Sequence, residues 1–372
     1  MAGLYIHIPF CKQFCSYCDF YSVQSQKWMP ELLQALKDEM TIRRKYVASP
    51  HTLYIGGGTP SLYKAEEIGG LIEHAKNLWN SNFIEMTLEA NPEDISQIYC
   101  QKLADYGVNR LSIGIQSFYD EHLRFMNRRH NATQGSKAVE AARNAGFKNI
   151  SIDIIFGFPG LSQKQWRQTI INALSIAPEH ISAYQLGLEP GTLLFKKYQQ
   201  GLLQPVAQEE AAAQYALLQE MLSANGWEQY EISNFSRQGY RSLHNSAYWQ
   251  GISYLGLGPS AHSYNGVVRH ANVRSIKKYT EGVKNLPLAM KEERITHKKR
   301  YNEFIMTRLR TKEGFLQKTI EQQVSHPTIL NHFKRTSEHL LHQGLLFEQE
   351  QYIKIPPHKW FVSDGIILEL MV

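Results

Sequence analysis

Six short runs with strand character, separated by stretches with helical periodicity, constrain this chain more than any other feature. The strand candidates cover residues 4–7, 52–55, 85–89, 110–115, 149–154 and 180–185. The spacing of apolar residues predicts helices between them over 30–44, 64–79, 96–106, 133–145 and 162–176. Strands joined by crossover helices pair in parallel, because the helix returns the chain to the end of the sheet it left. Six such units amount to most of a (β/α) barrel. A barrel of this kind carries its functional loops at the carboxyl ends of its strands, on one face.

After residue 184 the rhythm breaks. "LEPGT" is a turn, 209–224 is an amphipathic helix, and "HNSAYWQGISYLGLGPSAHSY" is rich in Gly, His and aromatic residues. Beyond about residue 291 the chain is more charged, with short helices and a closing "QYIKIPP…GIILEL" that reads as a hairpin. The expected division is therefore 1–235 for the barrel, 236–290 for a connecting segment, and 291–372 for a small C-terminal module. No apolar run reaches the roughly 18–20 residues that cross a bilayer, and no basic segment followed by a hydrophobic one marks a leader, so a cytoplasmic protein is expected. Forty Lys and Arg against 34 Asp and Glu give a net charge of +6. The short basic clusters Arg43-Arg44-Lys45, Arg128-Arg129 and Lys298-Lys299-Arg300 read as solvated surface. This mild excess suits acidic ligands and is compatible with contact at a membrane surface, but it does not mark a nucleic-acid protein.

"YIHIPFCKQFCSYCDFYS" places Cys11, Cys15 and Cys18 in a C-x3-C-x2-C spacing directly after the first strand. A reducing cytosol argues against a disulfide framework and for metal binding. Thiolates hold iron–sulfur clusters, and four irons normally take four protein ligands. Three ligands leave one iron open, and an open coordination position marks a working rather than a structural site. The alternatives are a zinc ion held by the three thiols and His7, and reduced cysteines with no ligand. Cys100, in "SQIYCQKL", reads as a buried helix residue.

The other strand ends supply complementary groups. Gly56, Gly57 and Gly58 in "YIGGGTPS" let backbone approach a ligand closely. "TLEANP" contributes Glu89 and "SIGIQS" contributes Gln116, hydrogen-bond partners for hydroxyl and amino groups. Arg128 in "FMNRRH" suits a carboxylate. Asp153 interrupts the apolar "SIDIIFGFPG", where a carboxylate needs a partner.

The cysteine spacing, with Tyr17 before the last thiol and a strand ahead of the loop, resembles the radical SAM superfamily. That resemblance implies an α/β fold: a partial (β/α)6 TIM-like barrel with a smaller α+β, winged-helix-like C-terminal domain. It further implies a 4Fe-4S cluster on Cys11, Cys15 and Cys18, with S-adenosyl-L-methionine chelating the open iron. The cofactor contacts it implies are Tyr5, Tyr17, Gly56, Gly57, Gly58, Glu89, Gln116, Arg128 and Asp153, with the stretches around Gly187 and Ala261 to His262 beside them. The order of "IGGGTPS", "EANP", "GIQSF", "DIIFGFPG" and "HNSAYW" resembles the group that contains the oxygen-independent coproporphyrinogen III dehydrogenases (HemN) and the HemW-type heme chaperones.

Two features incline the resemblance to the chaperones. Phe20 stands where the dehydrogenases carry an extra cysteine, and the first strand begins where they have an extension. "HNSAYW" fits the HNxxYW pattern of the chaperones, which implies a heme ligand at His244 with Tyr248 and Trp249 packing on the macrocycle; His262 and His270 are near enough in sequence to share or replace that role. The function expected is heme binding and delivery to apo-proteins of the respiratory chain. The alternative is a radical enzyme that decarboxylates coproporphyrinogen III or a related porphyrin.

Overall fold

Leu4, Ile6 and Ile8 are fully buried, and the strand that carries them, β1 (Gly3–Ile8), runs through the interior of a twelve-stranded sheet. These elements come from a computed structural model that describes residues 2–323 and 326–372. Beside β1 follow β2 (Thr52–Gly57), β3 (Glu85–Ala90), β4 (Arg110–Gln116), β5 (Ile150–Phe156) and β6 (His180–Gln185), each parallel to the last. Every residue of β4 is buried, and in β5 only Asp153 is not. That is why these strands read as apolar runs rather than as alternation: helices cover the outer face and side chains fill the inner one. The crossover helices bury one stripe each, as Leu32, Leu36 and Met40 do in Met29–Ile42. All six expected strands are present within two residues of their expected bounds.

Six further strands widen the sheet: β7 (Glu228–Glu231), β8 (Asn234–Ser236), β9 (Tyr254–Leu257), β10 (His262–Tyr264), β11 (Val268–Asn272) and β12 (Met290–Arg294). The order is β12-β11-β10-β9-β1-β2-β3-β4-β5-β6-β8-β7. β9 pairs in parallel with β1, Gly3 opposite Tyr254 and Ile6 opposite Leu257, and so becomes a seventh parallel strand. The stretch expected to be a connecting segment is thus built into the sheet. Strands of three to five residues amid Gly and aromatics show no measurable period, which hid them from the sequence reading.

This addition is clamped by a buried carboxylate. Glu39 accepts from Arg43 Nη1 at 3.0 Å, Asn272 Nδ2 at 2.9 Å, Tyr279 hydroxyl at 2.6 Å and Gly258 N–H at 2.9 Å. Four donors satisfy a charge that would otherwise be costly inside the protein. Arg43, expected at a solvated surface, is buried instead, because its guanidinium is shared by Glu39, the Gly256 carbonyl and Ser263.

The C-terminal module begins with the helix His297–Arg308, followed by β13 (Phe315–Leu316), the helices Gln317–Gln323 and Pro327–His342, and the hairpin of β14 (Phe347–Gln349) and β15 (Tyr352–Lys354). β15 lies between β13 and β14, the helix and strand order of a winged helix. The expected hairpin is corrected in part. "GIILEL" lies within the helix Ser363–Leu370, since Ser363, Ile366, Ile367 and Leu370 are buried at helical spacing and Leu370 ties its carbonyl to Tyr301. Among the described residues no helix is long and apolar enough to cross a membrane.

Candidate functional site

The cysteine loop leaves β1 and is fastened at both sides. Cys11 N–H donates to the Val23 carbonyl at 3.0 Å, Val23 N–H to the Pro9 carbonyl at 2.7 Å, and Ser16 N–H to the Met126 carbonyl at 3.1 Å. Phe10, fully buried against Tyr63, anchors the entry. The three thiols are free and half-buried. Arg128 Nη1 donates to Cys15 Sγ at 3.2 Å, while its Nη2 donates to Asn91 Oδ1 at 2.6 Å and to the Gly114 carbonyl at 2.9 Å. Thr59 hydroxyl lies 3.6 Å from Cys11 Sγ. Burial pushes the Cys18 thiol up to about 12 and raises that of Cys11, so these two become thiolates only when a cation is present to hold them.

A single zinc ion needs its ligands converged on one point. His7 is committed elsewhere, with Nδ1 on the Tyr5 hydroxyl at 3.0 Å and Nε2 on the Tyr21 carbonyl at 2.9 Å. Among the described residues no three His, Cys, Asp or Glu side chains are gathered around one ion's position. A four-iron cluster takes each thiolate on a separate iron, so its ligands stand around it rather than meeting. Three half-buried thiols on one loop, with a guanidinium beside them, fit that donor set.

A cavity of about 950 Å³ opens over the loop. Cys11, Cys15, Cys18 and Tyr17 line it from below, Gly57 and Gly58 from the end of β2, Glu89, Gln116 and Asp153 from the strands beyond, and Arg128 from the loop after the helix Asp120–Phe125. Gly57 has φ +112°, and a Cβ on Gly58 would stand 3.0 Å from Cys11 Sγ and 2.8 Å from the Phe10 carbonyl. Glycine is required there so that β2 can lie against the loop. Gly56 does not line the cavity; a Cβ there would strike Tyr54 and Glu89. Gln116 ends β4 at φ +64°, a left-handed turn that interrupts the register with β5.

Glu89 accepts from the Tyr54 hydroxyl at 2.6 Å and from Gly57 N–H at 2.9 Å. Burial pushes it up to about 7 despite these bonds. Burial likewise holds Asp153 at about 6, with Ser112 hydroxyl 3.4 Å away. Near neutrality each can hold or release a proton at an oxygen facing the cavity.

Glu89, Ser112, Asp153, Phe20, Tyr184 and Arg274 also line a second cavity of about 560 Å³, so the two adjoin along these residues. Tyr5 and His244 face this inner cavity and not the cysteine loop. His244 sits in the first turn of the helix Leu243–Trp249, whose start is held by Glu85: the carboxylate accepts Leu243 N–H at 2.8 Å and His244 N–H at 2.9 Å. The ring stacks on Tyr54, with Nδ1 on Thr52 hydroxyl at 2.8 Å and Nε2 on Tyr248 hydroxyl at 2.9 Å. Burial pushes its pKa down to about 3. It is neutral, 2% exposed, and has neither nitrogen free for a metal.

Several residues of the site had no assigned role at the sequence level. Asn91 and Thr59 lay inside quoted motifs but are given their work by contacts across the mouth. Arg110, 2% exposed with Nε unpartnered, projects into the inner cavity from the start of β4. Its signal was that it is the one charged residue in the strand RLSIGIQ.

The profile of the Radical SAM superfamily matches residues 5–171. The chain is 36% identical over 374 residues to the heme chaperone HemW of Bacillus subtilis, covering 95% of this chain and 98% of that one. It is 32% identical to the heme chaperone HemW of Lactococcus lactis, covering 99% and 97%. The solved structure of coproporphyrinogen III oxidase (HemN) from Escherichia coli superposes with a TM-score of 0.85 at 22% identity, over 99% of this chain and 89% of that one, a likeness of fold.

Proposed function

Since this chain belongs to the HemW family within the radical SAM superfamily, we propose that it is a heme chaperone, one that binds heme as cargo and hands it to apo-proteins. The observation that carries this reading is the end-to-end likeness to proteins named as heme chaperones. Phe20, 65% exposed at the rim where the two cavities join, agrees with it by withholding the extra thiol of the porphyrin-making enzymes.

Cys11, Cys15 and Cys18 would hold a 4Fe-4S cluster, with S-adenosyl-L-methionine in the cavity above. When bound, this pair supplies redox chemistry at an iron with one exchangeable position. The chain's own residues do the rest. Arg128 offsets the charge of the Cys15 thiolate through a bond already 3.2 Å long. Tyr54 and Gly57 N–H fix the Glu89 carboxyl so that its remaining lone pairs face the cavity and can accept from an ammonium or hydroxyl. Asp153 gives a second such acceptor across the mouth. Burial of the Glu89 and Asp153 carboxyls strengthens these interactions. The proposed setting is the cytoplasm, with respiratory heme enzymes as acceptors and the mild positive charge assisting approach to the membranes where they reside.

The test is anaerobic reconstitution with iron and sulfide, then titration with hemin and mixing with an apo-heme protein. Stoichiometric hemin uptake followed by appearance of the acceptor's holo spectrum is expected, with no protoporphyrinogen formed from coproporphyrinogen III. Turnover of coproporphyrinogen, or no hemin uptake, would overturn the reading.

A further inference from the structure

Four histidines line the inner cavity, and three of them have no nitrogen to give. His7 is engaged by Tyr5 and Tyr21, and His244 by Thr52 and Tyr248. His180 bonds Ser151 hydroxyl at 2.7 Å and Tyr230 hydroxyl at 2.8 Å. His270, outside the cavity, is engaged by Tyr46 at 3.1 Å and Glu292 at 3.4 Å. His262 is different. It is the first residue of β10, it is exposed at the mouth of the cavity, and among the described residues its ring has no hydrogen-bond partner.

The strand places it there by alternation: Ser263 points inward to Gly256 and Arg43, so His262 points out over the mouth. Partial burial, then Arg269 and Arg274, lower its pKa and keep the imidazole neutral. A neutral imidazole with an accessible lone pair is the form that ligates heme iron.

The neighbours suit the remainder of that ligand. Phe20 and Tyr184, 65% and 46% exposed, present aromatic surface at the rim shared by both cavities. Such exposed rings on one rim mark a surface that expects an apolar, planar partner. Arg274 is exposed there, and among the described residues its one side-chain bond is from Nη2 to the Asp19 carbonyl at 3.2 Å. Lys196 is exposed on the adjoining cavity. Neither cation has a carboxylate within ion-pair distance among the described residues. A flat iron macrocycle with carboxylate arms answers all three features: free imidazole, exposed rings and unpaired cations.

We infer that His262 is the axial ligand of the heme iron, with the macrocycle lying on the Phe20–Tyr184 rim and its carboxylate arms on Arg274 and Lys196. The inference rests on the heme-chaperone reading and names the site where that cargo sits. It moves the ligand from His244, whose role becomes the packing of the cavity wall. It also puts the heme beside the cysteine loop, since Phe20 is two residues after Cys18.

The experiment is a hemin titration of the full chain, reconstituted with its cluster, read by Soret absorbance and magnetic circular dichroism. His262→Ala is expected to weaken hemin binding about tenfold or more and to abolish the histidine-ligated spectrum, with added imidazole restoring the spectrum. His262→Met, folded to the same melting temperature, is expected to give a shifted ligand-field signature. Phe20→Ala and Arg274→Gln are each expected to weaken binding severalfold while keeping the histidine signature. Stoichiometric wild-type binding with an unchanged spectrum in His262→Ala would overturn this assignment and leave the chaperone reading standing. Loss of S-adenosyl-L-methionine binding by His262→Ala, with hemin binding intact, would overturn it in favour of a cofactor contact. A wild-type protein that takes up no hemin would overturn the chaperone reading itself.

Discussion

The Glu85 carboxylate accepts the backbone N–H of His244 at 2.9 Å, across 159 residues of chain. It accepts the neighbouring Leu243 N–H as well, and so supplies the partners that the first turn of a helix lacks. Glu85→Ala should leave both donors without their carboxylate, the His244 N–H in a buried position and the Leu243 N–H in a partly buried one. A loss of about 1–3 kcal/mol is expected, read by urea denaturation. A change below about 0.5 kcal/mol would mean that water replaces the carboxylate.

Gly58 keeps β2 against the cysteine loop, where a Cβ would stand 2.8 Å from the Phe10 carbonyl and 3.0 Å from Cys11 Sγ. Neither neighbour is the free end of a flexible side chain. Gly58→Ala is expected to cost about 1–3 kcal/mol through displaced backbone and to lower iron and sulfide content after reconstitution. Full cluster loading, measured by iron analysis and absorbance near the thiolate-to-iron charge-transfer bands, would show that the loop yields more easily than its fastening implies.

Glu231 ends β7 with 1% exposure, and burial pushes it up to about 7 from a starting value of 4.5. Its folded form therefore holds a proton that the unfolded chain releases. Between these two values the folded state binds more protons, so its contribution to stability falls as pH rises through about 7. Glu231→Gln removes the titration while keeping the shape. From pH 5 to pH 8 the variant should gain on the wild type by up to about 3 kcal/mol, seen as diverging melting temperatures. Parallel pH profiles would show that Glu231 ionises freely.

The six barrel strands were legible because parallel strands buried on both faces concentrate Ile, Leu and Val, and because the cysteine loop follows the first of them. The site residues contributed by strand ends were legible for the same reason: strand ends in such a sheet share one face. What stayed hidden depends on distant partners. β9 has four residues and no pattern of its own; only pairing with β1 makes it a strand. Glu39 carried no signal of burial in the sequence, because its partners Asn272 and Tyr279 lie 233 and 240 residues on. The resemblance of "HNSAYW" to the HNxxYW pattern implied a ligand at His244, yet Thr52, 192 residues earlier, occupies one of its nitrogens. "GIILEL" is apolar but for Glu369, and a short apolar run alone does not separate helix from strand.

The parallel pairing of β1 with β9 has a temporal side. β2 reaches β1 after about fifty residues, but the other edge of β1 stays open until residue 257 exists. During synthesis the cysteine loop therefore hangs on a half-paired strand, and non-local closures of this kind are the slow ones. The register therefore orders the closure: β1 gains β2 on one edge first, and β9 on the other about two hundred residues later.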